Sequence, residues 1–203
     1  MKKTFFKGIG FGALTAALFT LMVFITISCC KDDPIIPDIP EMNIGDTYEG
    51  GIVAFIYVDG DPLYIPGEVH GIICSEDDMS APGMSTFVWG TVGLLIEAND
   101  PINGQPNTDK IIAAEEVSGT TAWYAALVCD AYSITVSGDT YDDWYLPSHS
   151  ELSIMIENGV LTGQYWSSNE IIGFSTQAIV VPPAPNEHRY KDKKYTIRAV
   201  RKF

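Results

Sequence analysis

Positive charge is scarce in this chain. Its 203 residues carry 12 Lys and Arg against 26 Asp and Glu, a formal net charge of −14. A surface that acidic repels phosphate backbones, so nucleic acid is not an expected partner. Histidine and cysteine are few, at three and four. His70, His149 and His188 stand far apart, with no cysteine or second histidine at metal-binding spacing. A glycine-rich phosphate loop, a nucleophile elbow and a paired-histidine zinc helix are all missing. No catalytic constellation remains, and the expectation is a protein that is not an enzyme. Internal repeats and long helix-period stretches are lacking too.

What is present begins with Lys2, Lys3 and Lys7 ahead of an uncharged apolar run from Gly8 to Ser28. That is the layout of a signal peptide. The run also reaches the roughly 20 residues that span a bilayer, so an uncleaved anchor is the rival reading. Ser28 before Cys29 resembles a lipobox, with Thr26 where leucine is usual; Cys30 offers a second register with Cys29 in the small-residue slot, and the favoured reading is a lipoprotein acylated at Cys29. Residues 1–28 are then the signal peptide and 29–41 a tether. Lys31-Asp32-Asp33 resembles the export tag of surface lipoproteins in Bacteroidetes-like bacteria; a solvated charge pair is the alternative. Pro34, Pro37 and Pro40 stiffen this spacer. The expected location is the outer membrane, outward-facing or periplasmic, with the membrane as partner through the lipid. Without the three signal lysines, nine basic residues face 26 acidic ones, a formal net of −17.

Residues 42–203 make one domain's worth of chain. Gly50–Asp59 reads as a buried strand. Gly60-Asp61-Pro62 is turn chemistry, with Leu63-Tyr64-Ile65 as its hairpin partner. Gly71–Cys74 is a second buried strand, followed by a loop over Glu76–Met84. Ala98–Thr108 reads as a long loop. A first helix starts near Thr108, and a second runs from Thr120 or Thr121 to Ala131. The sharpest local signal is Asp143-Trp144-Tyr145-Leu146-Pro147-Ser148-His149-Ser150-Glu151-Leu152. Pro147 keeps Leu146 extended, Ser148 and Glu151 form a capping box, and a third helix follows to Asn158-Gly159. Trp144 and Leu146 then face one side of the extended segment and Tyr145 the other. Strands close the chain near Thr176–Val181 and Tyr195–Val200. Segregated strands and helices indicate an α+β fold.

Several motifs occur together in order: Gly50-Gly51-Ile52-Val53-Ala54-Phe55, His70-Gly71-Ile72-Ile73, Val88-Trp89-Gly90, Asp143–Ser148, Tyr165-Trp166-Ser167-Ser168-Asn169-Glu170 and Ile197–Arg201. The set resembles the domain at the C-terminus of the Legionella collagen-like adhesin, also found in a large paralogous set of Fibrobacter. The resemblance implies a C-type-lectin-like single domain with antiparallel strands and two to three short helices. It implies that the C-terminal strand pairs near Gly51–Tyr57, and that His70 makes a structural hydrogen bond. Relatives often bridge a cysteine of the second helix to the final strand, where Ala199 stands here. Cys74 and Cys129 therefore admit two readings, a disulfide or two buried free thiols.

The same resemblance implies adhesion to polyanionic glycans. Arg189, Lys191, Lys193, Lys194 and Arg198 would supply a local basic patch. The proline-rich stretch before Arg189 and Tyr190 is similar to the variable face of lectin-like receptors. Phe174, Gln177, Asn186, Arg189 and Tyr190 are the candidate ligand contacts, with a solvated loop as the alternative. Asp59-Gly60-Asp61 and Ser75-Glu76-Asp77-Asp78 supply hard oxygens that suit calcium, although such loops are often only solvated. No other cofactor is indicated. Gln105-Pro106-Asn107 imitates a lectin sugar-binding tripeptide but precedes the helices, and it reads as coincidence. His149, in the first turn of the third helix, is expected to be exposed. The function expected from all this is a binding or adhesion module for glycan or protein; a structural envelope component is the alternative.

Overall fold

The computed structural model describes residues 42–182 and 188–203. The expected signal peptide, tether and Cys29 lie outside the described residues, as does Asn186. Among the described residues no helix is long and apolar enough to cross a membrane.

Eleven short strands and three helices make an α+β fold with antiparallel sheets among these residues. The described part opens with β1 (Thr47–Tyr48) and β2 (Gly51–Ile56), in whose Ile-Val-Ala-Phe run Val53 and Ala54 are fully buried and Ile52 and Phe55 half-buried. Its partner is β3 (Gly71–Ser75), with a register shift between Val53 and Phe55. The expected hairpin through Leu63–Ile65 is not formed. Asp61 instead closes a turn, its carboxylate accepting from the Val58 N–H. His70 Nε2 then accepts from the Ile65 N–H at 2.8 Å, and Tyr57 and Tyr64 stack on its ring. The expected structural hydrogen bond of His70 is thus present.

After β4 (Phe87–Val88), helix α1 covers Gly104–Ser118. It starts four residues before the expected Thr108. The Asn103 side chain caps it, and Pro106 falls in the first turn, where a missing N–H costs nothing. Helix α2 is only Ala125–Asp130. The expected longer helix from Thr120 fails for a local reason. The Thr120 N–H closes the end of α1 on the Glu115 carbonyl, and Tyr124 is held extended by bridging Val88. A hairpin of β5 (Ile134–Val136) and β6 (Asp139–Tyr141) follows.

The extended segment Asp143–Pro147 sits between two hydrophobic clusters. Trp144 and Leu146 enter one, with Trp89, Trp166, Ile111 and Cys129; Tyr145 enters the other, with Ala54, Leu152, Met155 and Cys74. The expected alternation is therefore what divides the core. Helix α3 (His149–Glu157) carries the capping box, both hydrogen bonds between Ser148 and Glu151 being made. It ends at Asn158, followed by Gly159 in the left-handed region at φ 72°. The Glu151 carboxylate also accepts from the Gly104 N–H at 3.0 Å and the Tyr145 hydroxyl at 2.8 Å. One buried side chain thus joins the starts of α1 and α3. Gly104 is required there, because a Cβ would stand 2.4 Å from the Leu146 carbonyl oxygen.

The last elements are β7 (Tyr165–Glu170), β8 (Gln177–Val181), β9 (His188–Tyr190), β10 (Lys194–Tyr195) and β11 (Val200–Lys202). β7, β8 and β9 form one sheet in that order, and β10 pairs with β4. The strand expected over Tyr195–Val200 is split. Residues 196–199 pass between sheets, bonding through backbone to Trp166, Met79 and Ser75. β11 then joins the first sheet in the order β1-β2-β3-β11. The expected pairing of the C-terminal strand with Gly51–Tyr57 is corrected: its partner is β3, which lies between them. Cys74 and Cys129 are free and buried, in different clusters. Of their two readings, the disulfide is not the one found. Burial pushes both thiols up from their ordinary pKa.

Candidate functional site

Every residue of β7 is buried, including Ser167, Ser168, Asn169 and Glu170. A polar strand end inside a protein has to find partners, and here the partners are loops. The Ser168 N–H donates to the Pro147 carbonyl. The Asn169 amide donates to the Asp100 carbonyl, while its oxygen accepts from the His149 N–H at 2.7 Å. Asn107 bonds Ser168 and both backbone groups of Asp100. Of the Gln-Pro-Asn tripeptide, Asn107 is thus spent on internal bonds, while Pro106 is exposed and the Gln105 amide donates to Asp109.

Glu170 is the pivot. One carboxylate oxygen accepts from the N–H groups of Ile96 and Glu97 at 2.9 and 2.6 Å. The other pairs with Lys191, whose ammonium also donates to the Leu94 carbonyl at 2.6 Å and lies 4.6 Å from the centre of the Trp89 ring. Lys191 and Glu170 are 0% and 3% exposed. Burial lowers the lysine pKa from its ordinary value, and the hydrogen bond and charge of Glu170 oppose that shift. The ion pair holds three segments together: the loop after Trp89, the end of β7 and the turn after β9. Gly93 N–H to Ser175 O and Lys191 N–H to Thr176 O add backbone ties. Behind them, buried Glu115 on α1 accepts from the Thr91 backbone and hydroxyl, and from the Thr120 hydroxyl.

On the outside of this clamp sit large apolar side chains. Ile172 is 78% exposed and Phe174 58%; Tyr190, Leu95 and Val92 are exposed as well. Gln177 is the cross-strand partner of Tyr190, and its N–H donates to the Phe174 carbonyl. Phe174, Gln177, Arg189 and Tyr190 are thus brought to one end of the β7–β8–β9 sheet, as grouped from the sequence. The Arg189 Nε donates to the Tyr195 hydroxyl at 2.8 Å, which ties that side chain to β10. Beside them a cleft of about 370 Å³ is lined by Asn99, Pro101, His149, Asn169, Ile172 and Ile179 among others. His149, expected to be exposed, is half-buried in its wall.

The expected basic patch is not formed. Lys191 is consumed by Glu170, and Arg198, 8% exposed, pairs with Asp78 at 3.2 Å. Lys193 and Lys194 remain on the surface, the former 3.8 Å from Asp192. Among the described residues no three His, Cys, Asp or Glu side chains converge as a metal-holding group. Asp61 is engaged in its turn and Asp78 with Arg198. Sequence reasoning missed the Glu170–Lys191 clamp. It also missed the part played by the loop from Thr91 to Glu97, whose exposed leucine and valine carry no motif. Compared with protein-family models and with curated proteins, the chain matches none of either.

Proposed function

We propose that this chain is a non-catalytic binding or adhesion module, its domain of C-type-lectin-like arrangement, presented from the outer membrane by a lipid on Cys29. The observation that carries the reading is the exposed apolar group Val92, Leu95, Ile172, Phe174 and Tyr190, on loops clamped by a buried ion pair. Large apolar side chains gathered on a rigid scaffold are costly to leave in water and are characteristic of recognition surfaces. Pre-ordered loops also reduce the entropy lost on binding. The lectin-like arrangement rests on the ordered set of motifs and on a final strand that returns to the first sheet, although beside β3 and not β2. Polyanionic glycans lose their argument with the dispersal of the basic patch. A protein ligand, or a neutral glycan stacking on Phe174 and Tyr190, suits the surface better.

The test is an array of glycans and host proteins probed with the chain in calcium and in chelator. Ligands retained in both buffers and lost by a Phe174→Ser/Tyr190→Ser variant are the expected outcome. Retention unchanged in that variant would remove this surface from the account. Silence across the array would favour a structural role in the envelope.

A further inference from the structure

Three of the four tryptophans are at most 1% exposed, but Trp123 is 47% exposed. It stands on the wall of a second cleft, of about 480 Å³, remote in sequence from the surface described above. That volume lies in the roughly 300–1,000 Å³ range of ligand sites. Tyr132 forms another wall, Val128 part of the floor, and Glu76, Asp77 and Asp78 the rim. We infer that this cleft binds the cationic side chain of a lysine- or arginine-bearing peptide segment.

Four observations carry the inference. The first is charge: no Lys, Arg or His lines the cleft. Asp78 is spoken for by Arg198, whereas Glu76 and Asp77 have no ion pair among the described residues. The second is the aromatic wall. A ring face beside carboxylates suits an ammonium or guanidinium, which gains from both the ring quadrupole and the opposite charge. The third is the apolar floor, which matches the methylene stem behind such a head group. The fourth is rigidity. The acidic turn is tied by the Ser75 hydroxyl to the Asp77 carbonyl and by Ser75 and Met79 N–H groups to Ala199 and Ile197. Tyr132 is braced edge-on by Trp144 at 5.0 Å, and the backbone next to Trp123 is fixed by the bridge of Tyr124 to Val88. The phenol of Tyr132 is pushed up in pKa by burial and then by Glu76 and Asp77, which places both carboxylates within electrostatic reach of that wall. A sulfated or phosphorylated ligand would be repelled here.

The probe is N-acetyl-hexalysine amide, titrated into the full chain in neutral detergent and followed by calorimetry, with N-acetyl-hexaglutamate amide as control. Expected are binding of the lysine peptide alone, about tenfold weaker in Trp123→Ala, and a loss of at least that size in Glu76→Gln/Asp77→Asn. Trp123→Tyr should recover part of the affinity. Glu68→Gln/Glu157→Gln removes the same charge from exposed positions that do not line the cleft and should leave affinity within twofold. Equal weakening by the two charge-matched pairs would overturn the proposal, since binding would then follow net charge. Absence of any binding, or a Trp123→Ala variant that folds and binds normally, would overturn it as well.

Discussion

Replacing Lys191 by methionine removes the ammonium while keeping the stem over Trp89. The carboxylate of Glu170 is then left in a site that water does not reach, with its two N–H donors from Ile96 and Glu97 but no cation. Breaking a buried pair from one side costs about 3–5 kcal/mol, and the surviving N–H donors argue for about 3. The Leu94 carbonyl loses its donor as well. With a urea slope of roughly 1–3 kcal/mol per molar, the midpoint of unfolding should fall by about 1–3 M. Tryptophan fluorescence reports it, because Trp89 lies under the ammonium. Glu170→Gln should cost a similar amount, and the double variant much less than the sum of the two, by about 2 kcal/mol or more. Lys193→Met is the control. Its partner Asp192 is 3.8 Å away, both side chains are 60% exposed, and a change below about 0.5 kcal/mol is expected. A midpoint shift under about 0.3 M for Lys191→Met, or additivity within about 0.5 kcal/mol, would refute the clamp.

Other consequences can be read with the same denaturation assay. Ser148→Ala removes a cap bond from α3 and should lower stability by about 1–2 kcal/mol; no change would mean the box is idle. Gly104→Ala forces a methyl against the Leu146 carbonyl and the Ser148 N–H, and should cost about 2 kcal/mol or more. Burial raises the Glu151 carboxyl above its ordinary value, opposed by the N–H of Ser148 and the hydroxyl of Tyr145. A raised carboxyl binds its proton more tightly folded than unfolded, so its contribution to stability falls as pH rises above about 4.5. The penalty of Glu151→Gln should therefore be larger at pH 4 than at pH 7, and the reverse order would contradict the assignment. Cys74 and Cys129 should resist alkylation at pH 8 in the native chain and react once unfolded, measured by mass.

The sequence was most legible where one local rule had no competitor. Leu146-Pro147-Ser148-His149-Ser150-Glu151 could only be an extended stop and a capped start, and α3 begins there. The period-two alternation of Trp144, Tyr145 and Leu146 likewise foretold that Tyr145 would face away from the other two, and it joins the other cluster. Reading failed where partners came from far away. Leu63-Tyr64-Ile65 has strand composition, but its backbone is spent on His70 and on turns, and the true partner of β2 lies further on. Pro106 suggested a loop because its place in a first helical turn depends on Asn103 capping. Of the residues singled out around a returning strand, Gln177 and Tyr190 face each other across β8 and β9, with Arg189 one register position on. Lys191 could not be told from Lys193 or Lys194, because nothing local distinguishes a lysine that finds a carboxylate 21 positions away.

Backbone hydrogen exchange of the chain with and without a ligand retained on the array locates the binding surface directly. The account predicts slowed exchange in residues 91–97, 171–176 and 188–194, and little change in residues 58–70. Protection confined to any other part of the domain, with those three segments unaffected, would contradict it.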